Sequence, residues 1–480
     1  MTGVCSARPT PHLFWFGPCA STFDMDEVVW ISRAKQEETR HKKQTSKILF
    51  NSETLSDVKF VVRTSQHGGI DSKRGKTVVP AHKFVLSICS PVFFKMFCGE
   101  MAETSDQIDL PDCEYEGVFE LLRYIYTDEV CLTGNNVMQV LYAAEKYLIP
   151  CLVRECVEFL KKNLDPSNVF CVLRHAQQFK KKDLLFQCWY LIDKKTDEAL
   201  KSSEFMTIEK SLLEQLVARS SLNVREVELF KAVDRWAEGE CERQKLIVDG
   251  PVKRRILGEL IVKNLRFPAM RQSDFLEVVS ASQILTEEET SNIVNYFSST
   301  LTSPVGFLVF ERAGSCLRCC RSERANMSSI LHNNGLDRPY LIEVTVDKDI
   351  MLYGVALFGN KYMYADYSVT LNFSNNDDAI FLAAKTGVFT SLHVKLEADC
   401  NCPSYYYGFD VLFDYPVTLK KDVEYCFEVV INGPDSHVEG WVLNDVECAG
   451  VSFTFNYPEY DPEDEILTGQ IAEVLFKVKE

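Results

Sequence analysis

Apolar positions along the chain change their period in a way that divides it into three parts. Val58-Lys59-Phe60-Val61-Val62 reads as a strand, and Thr77-Val78-Val79 as its return partner across a Gly- and Lys-rich loop from His67 to Lys76. After Pro80 the period lengthens to that of a helix. Phe84, Val85 and Ile88 share one face, followed by Val92, Phe93, Met96 and Phe97. Val118, Leu121, Leu122 and Ile125 repeat at the same spacing, as do Val137, Val140, Leu141, Ala144 and Leu148, before Pro150 stops that helix. From residue 152 to about 297 the pattern stays helical. Asp165-Pro166 predicts an N-cap followed by Pro at the first helical position. Asn223 with Glu226 three residues on predicts a capping box, opening a helix that carries Val227, Phe230, Val233 and Trp236. Ser298 to Pro304 has linker composition. Beyond it the period falls to two: Ile342, Val344, Val346, then Tyr367, Val369, Leu371, Phe373, then Val451, Phe453, Phe455, Tyr457. Short strands of this kind separated by turn residues predict an all-β sandwich. The plan is α/β, then all-α, then all-β, and the absence of a short internal repeat disfavours a propeller or solenoid.

Composition narrows the class. At 480 residues the chain is too long for a single core. With 46% hydrophobic and 25% charged residues it is ordinary globular material. Residues 1–26 mix Pro, Ser, Thr and Gly with isolated aromatics and read as a poorly ordered tail; residues 27–47 read as a polar helix. A net charge of -17 argues against nucleic acid as the main partner, since phosphate binding needs a basic surface. No run approaches the roughly 18 apolar residues that span a bilayer, so no membrane insertion is expected. The patch Leu13-Phe14-Trp15-Phe16 is too short for a signal-peptide core. The 18 cysteines are scattered, and Cys151, Cys156, Cys188 and Cys426 sit inside regular patterns where a reduced thiol acts as a small buried hydrophobe. The expected compartment is the cytosol, with the nucleus as the other reducing choice.

Catalytic chemistry is nearly absent from the motifs. Gly69 to Thr77 resembles a phosphate-binding loop but has one residue too many between its glycines. Val78-Val79-Pro80 follows it, where the helix that would hold the phosphate should begin. Cys316-x-x-Cys319-Cys320, with Cys400, Cys402 and His332 elsewhere, lacks a second Cys-x-x-Cys at zinc-finger spacing. The acidic run Glu459 to Glu465 lacks the glycine and ligand spacing of a calcium loop. Lys180-Lys181-Lys182 reads as a solvated helix end. No cofactor, metal or catalytic set is implied, and the chain is read as a binding protein rather than an enzyme. Asp57 and Lys83, charges embedded in apolar patterns, are expected to pair.

Three stretches carry a resemblance to known families. Leu55-Ser-Asp57-Val-Lys-Phe60, Ala81-His82-Lys83-Phe-Val-Leu86-Ser87, Ser90-Pro-Val-Phe93-Phe-Lys-Met96-Phe97, Ile108-Asp-Leu-Pro-Asp112 and Leu121 to Glu129 resemble the BTB (POZ) domain, covering residues 48–160. Leu222 to Trp236 resembles the BACK domain, covering 165–297. After a linker and entry segment at 298–324, Ile342 to Lys348, Val355 to Gly359, Asp366 to Ser368 and Gly469 to Phe476 resemble the PHR domain, covering 325–478. The order is similar to that of adaptors of cullin-RING ubiquitin ligases. The resemblance implies a homodimer, and docking of the cullin-3 scaffold through the hydrophobic–x–Glu motif Met101-Ala102-Glu103, with Tyr126 as a further rim contact. It also implies an unidentified protein substrate held by the sandwich. The alternative is a dimeric scaffold for cytoskeletal or transcriptional partners, independent of any ligase.

Overall fold

The computed structural model describes residues 47–64, 75–100, 102–300, 306–333, 339–362, 364–375, 380–391, 396–397, 405–457 and 470–479. The expected tail and the polar helix before Lys47 lie outside the described residues, as do residues 65–74 of the loop between the first two strands. The chain divides into two compact units, residues 1–159 and 160–480.

In the first unit, β-branched residues favour extended backbone in β1 (Val58–Thr64) and β2 (Gly75–Ala81). These run antiparallel with Phe60 opposite Val79. β3 (Gln107–Glu114) lies parallel to β1 on its other side, so β1 is central and Val58 and Phe60 are fully buried. The helical pattern read from Phe84 to Phe97 forms two helices, α1 (Lys83–Cys89) and α2 (Pro91–Cys98). Ser90 makes the break: its backbone is extended, its hydroxyl accepts from Phe93 N–H at 3.2 Å and donates to the Tyr147 carbonyl at 2.6 Å. Pro91 then sits at the first helical position, where its missing N–H costs nothing. α3 (Tyr115–Thr127) and α4 (Val137–Lys146) cover the sheet, and Pro150 opens α5 (Pro150–Lys162). Phe93 joins strand and helix layers, 5.8 Å from Phe60 and stacked on Tyr147 at 4.3 Å between ring centres.

The second unit begins with α6 (Val169–Gln178), α7 (Lys182–Lys194), α8 (Thr196–Lys201), α9 (Lys210–Ala218), α10 (Glu226–Arg243), α11 (Gly250–Asn264) and α12 (Glu287–Phe297). Two helix starts differ from the sequence reading. Asn168 Oδ1 accepts from Asp165 N–H and the Asp165 carboxylate accepts from Ser167 N–H, and α6 begins only at Val169. Glu226 is the first residue of α10 rather than the third, so the expected capping box with Asn223 does not form. The box that does form is Thr286 with Glu289, at the start of α12.

The sandwich comprises β4 (Leu317–Cys320), β5 (Ser322–Leu331), β6 (Tyr340–Val346), β7 (Ile350–Phe358), β8 (Ala365–Asn375), β9 (Ile380–Ser391), β10 (Leu396–Glu397), β11 (Tyr405–Tyr406), β12 (Gly408–Leu419), β13 (Tyr425–Asn432), β14 (Ser436–Val442), β15 (Asp445–Cys448), β16 (Val451–Asn456) and β17 (Ile471–Val478). A four-stranded sheet in the order β12-β7-β17-β4 faces a six-stranded sheet, β15-β16-β6-β13-β8-β9. Alternate residues such as Leu352, Val355, Val369, Phe373, Phe427 and Phe453 fill the space between them. The other face of the four-stranded sheet is buried as well. Tyr353, Ala356, Phe358, Ala472 and Leu475 form a second cluster with Leu331 and Val438 of β5 and β14, against which Phe186 and Tyr190 of α7 pack.

Candidate functional site

The residues read as partner-facing all fall in the first unit, and the structure separates their roles. Asp57, just before β1, accepts the backbone N–H of Lys83 at 2.7 Å. It therefore caps α1, whose own N-cap residue His82 makes no side-chain cap. The Lys83 ammonium turns instead to Asp106 at 3.2 Å. Asp57 and Lys83 thus meet as a carboxylate on a helix N-terminus, where the sequence pattern led to an expected ion pair.

Tyr126 is corrected more strongly. It is 2% exposed, and burial pushes its phenol above the ordinary range. Its oxygen accepts from His82 N–H at 3.0 Å and meets His82 Nδ1 at 2.9 Å, while His82 Nε2 donates to the Thr54 carbonyl at 2.8 Å. With the proton on Nε2, Nδ1 accepts from the phenol, and the three groups close on one another. Tyr126 braces the α3 end against the α1 entry; it is not a rim residue.

Met101 lies outside the described residues. Glu103 is exposed, and its backbone N–H donates to the Met96 carbonyl at 2.8 Å. Ala102 N–H donates to the Gly99 carbonyl at 3.1 Å, and Glu103 is held close to the end of α2 while it stays exposed.

The face of α1 that carries Phe84 and Ile88 points outward: Phe84 is 75%, Ile88 51% and Phe94 53% exposed, whereas Leu86 and Phe93 are buried. Helical spacing gathers apolar residues on a stripe without saying which of two apolar stripes faces inward. Three large apolar side chains on adjacent short helices are thus exposed.

Gly75-Lys76-Thr77, the described end of the near-miss phosphate loop, starts strand β2; Lys76 pairs with Asp109 at 3.1 Å and Thr77 with Thr64 at 2.8 Å. Cys316 belongs to the cluster against the helices and Cys319 to the inter-sheet core, so the two sulfurs sit on different faces. Burial pushes the Cys316 thiol up to about 12, which opposes the thiolate a metal needs. Cys400 and Cys402 lie outside the described residues, as does the acidic run at 459–465. Among the described residues no group of His, Cys, Asp and Glu is arranged to hold a metal ion, and no helix is long and apolar enough to cross a membrane.

A charged brace went unread. Arg318 donates through both Nη atoms to Asp410, at 2.9 and 2.7 Å, and through Nε to Glu473 at 2.6 Å; Tyr406 OH donates to Glu473 at 2.7 Å. Burial holds the Glu473 carboxyl above the usual range, while for Asp410 the pull of Arg318 outweighs burial and holds it below. These groups tie three strands of the four-stranded sheet together. A cleft of about 610 Å³ opens among the starts of α8 and α10 and the residues near Arg271. Its charges are largely spent on one another, as in Asp197–Lys201 and Arg225–Asp274.

Comparison with known proteins matches this architecture part by part. The BTB/POZ domain model matches residues 47–164, the BTB And C-terminal Kelch model residues 169–280, and the PHR domain model residues 332–477. BTB/POZ domain-containing protein 6 of Xenopus laevis is 31% identical over 436 residues, covering 90% of this chain and 78% of the relative. The Homo sapiens protein of the same name is 32% identical over 436 residues, covering 90% and 77%. BTB/POZ domain-containing protein 3 of Homo sapiens is 32% identical over 438 residues, covering 90% and 79%. The three models match in order along the α/β unit, the helices and the sandwich, and the chain belongs to the BTB–BACK–PHR family of BTB/POZ domain-containing proteins.

Proposed function

We propose that this protein is a non-catalytic adaptor of a cullin-3-based RING ubiquitin ligase. Its first domain forms a homodimer and docks the scaffold, and its sandwich holds a protein substrate. The observation that carries the reading is the presence of two features in the first unit: the exposed Phe84, Ile88 and Phe94 face, and the exposed Glu103 bonded back to the end of α2. The apolar face suits an isologous contact between identical copies. In the scaffold contact, Met101 fills an apolar pocket and Glu103 accepts hydrogen bonds. The adaptor itself performs no bond chemistry. It raises the local concentration of substrate lysines near a charged ubiquitin-conjugating enzyme, and dimerisation makes that encounter bivalent.

The test is direct binding of the purified protein to the N-terminal segment of cullin-3. A complex at micromolar concentration or tighter is expected. The double change Met101→Asp, Glu103→Lys is expected to abolish it while light scattering still reports a dimer. No complex with the unchanged protein sinks the ligase reading and leaves the ligase-independent scaffold.

A further inference from the structure

Between the helices and the sandwich runs a short connection, and the described part from Gly306 to Cys316 is bonded on both sides. Arg312 is its anchor. Nε donates to Glu226 Oε2 at 2.8 Å and Nη2 to Glu226 Oε1 at 2.9 Å. Nη1 donates to the carbonyls of Val217 at 2.8 Å and Arg219 at 2.6 Å, and Nη2 also to that of Asn264 at 3.0 Å. A guanidinium has five N–H donors, and here all are used. The side chains of Arg312 and Glu226 are 1% and 5% exposed. Glu226 also accepts the backbone N–H of Arg266 at 2.8 Å, and Arg266 reaches back to the Glu311 carbonyl at 2.9 Å.

Next to this clasp, Ala313 N–H donates to the Ser220 carbonyl at 2.7 Å. Gly314 passes so close to the helices that a Cβ there would lie 2.2 Å from the Ser221 oxygen. From the other side, Lys477 of β17 pairs with Glu311 and donates to Ser315 Oγ at 2.8 Å. A second contact lies at α7. Phe186 and Tyr190 enter the cluster beneath the four-stranded sheet, Tyr364 OH donates to the Asp183 carbonyl at 3.3 Å, and Lys182 pairs with Asp366 at 3.5 Å.

We infer that Glu226 and Arg312 are positioning residues that fix the sandwich in one orientation on the helical bundle. A substrate gripped by the sandwich is then presented at a set place and not swung on a tether. This rests on the adaptor reading. A flexible connection would need none of these bonds, because its function would tolerate a spread of orientations. A buried arginine with every donor satisfied removes that freedom, and its loss leaves Glu226 buried without its counter-charge.

The experiment is carried out on the full chain. Non-canonical residues at exposed Ile247 and Val388 carry spin labels, which avoids the native cysteines, and pulsed electron resonance reads the distance between bundle and sandwich. With labelled chain diluted in excess unlabelled chain, so that a dimer carries one labelled copy, the unchanged protein is expected to give one narrow distribution. Glu226→Gln and Arg312→Lys are expected to broaden it by about twofold or more, with circular dichroism unaltered. Glu289→Gln, at an ion pair elsewhere in the bundle, is expected to leave it narrow. A broad distribution in the unchanged protein, or an unchanged width in both clasp variants, overturns the inference.

The functional readout uses the chain's own lysines as acceptors in a mixture of modified cullin-3, its RING partner, conjugating enzyme and ubiquitin. In the unchanged protein, ubiquitin is expected to concentrate on a few sandwich lysines. In Glu226→Gln it spreads over more sites, with total transfer kept within about twofold. The same site pattern despite a broadened distance overturns the positioning role. No transfer to the unchanged protein counts against the adaptor reading alone, and the distance measurement still judges the clasp.

Discussion

Glu289 shows how one side chain can hold several elements. It completes the capping box of α12 and accepts from Arg254 at 2.9 and 3.2 Å and from Lys263 at 2.6 Å. Burial pushes its carboxyl up, but these hydrogen bonds outweigh burial and hold it down to about 2. A depressed carboxyl stabilises the fold fully above its unfolded pKa, near 4.5, and that contribution is lost as pH falls toward 2. Urea midpoints measured from pH 6 to pH 2.5 are therefore expected to fall more steeply for the unchanged protein than for Glu289→Gln. The difference is about 1–2 kcal/mol after allowing for solvent screening; parallel curves would refute it. Asp57→Ala is expected to cost about 1 kcal/mol by removing the cap on α1, again read from urea unfolding. The coupling of Asp57 with Lys83 was legible in the sequence, but its atoms were not. A pattern can place two residues side by side, while the choice between backbone N–H and ammonium depends on where Asp106 lies. Tyr126 failed for a related reason, since nothing in its helical spacing reveals that His82 encloses its hydroxyl.

Elements were legible wherever one face is buried. β6, β8 and β16 alternate inward and outward, and their strands stand where period two placed them. β7 reads Ile-Met-Leu-Tyr-Gly-Val-Ala-Leu-Phe with no alternation, because the sheet around it is covered on both faces. In α1 the ambiguity was between two apolar stripes, and the outward one is the surface assigned to dimerisation. Changing Phe84 and Ile88 together to Asp is expected to shift light scattering from dimer to monomer with the far-ultraviolet spectrum intact; a persistent dimer would remove that assignment. α11 bends at Gly258, whose φ of 76° and ψ of 170° suit only glycine. Gly258→Ala is expected to cost about 1–3 kcal/mol in thermal unfolding. No sequence period marks that bend, since Ile256, Leu257 and Leu260 continue the helical pattern across it.

For the whole molecule, the order α/β, all-α, all-β could be read from period alone, but the bond between the second and third parts could not. Arg312 looks like one more charge in a linker until Glu226, 86 residues earlier, is seen beneath it. Calorimetry on the full chain is expected to show the helices and the sandwich melting in one transition, and Arg312→Met to split it. Separate transitions in the unchanged protein would contradict the compact second unit.

The covered sheet also bears on how partners should be sought. A fragment starting near residue 305 would strip Phe186 and Tyr190 from the cluster of Tyr353, Phe358 and Leu475 and leave an oily surface in water. Proteins captured on such bait would include those drawn to bare hydrocarbon. Bait that begins ahead of α7, with Glu226 and Arg312 both present, keeps that surface closed, and what it retains reports on the sandwich as it exists in the intact chain.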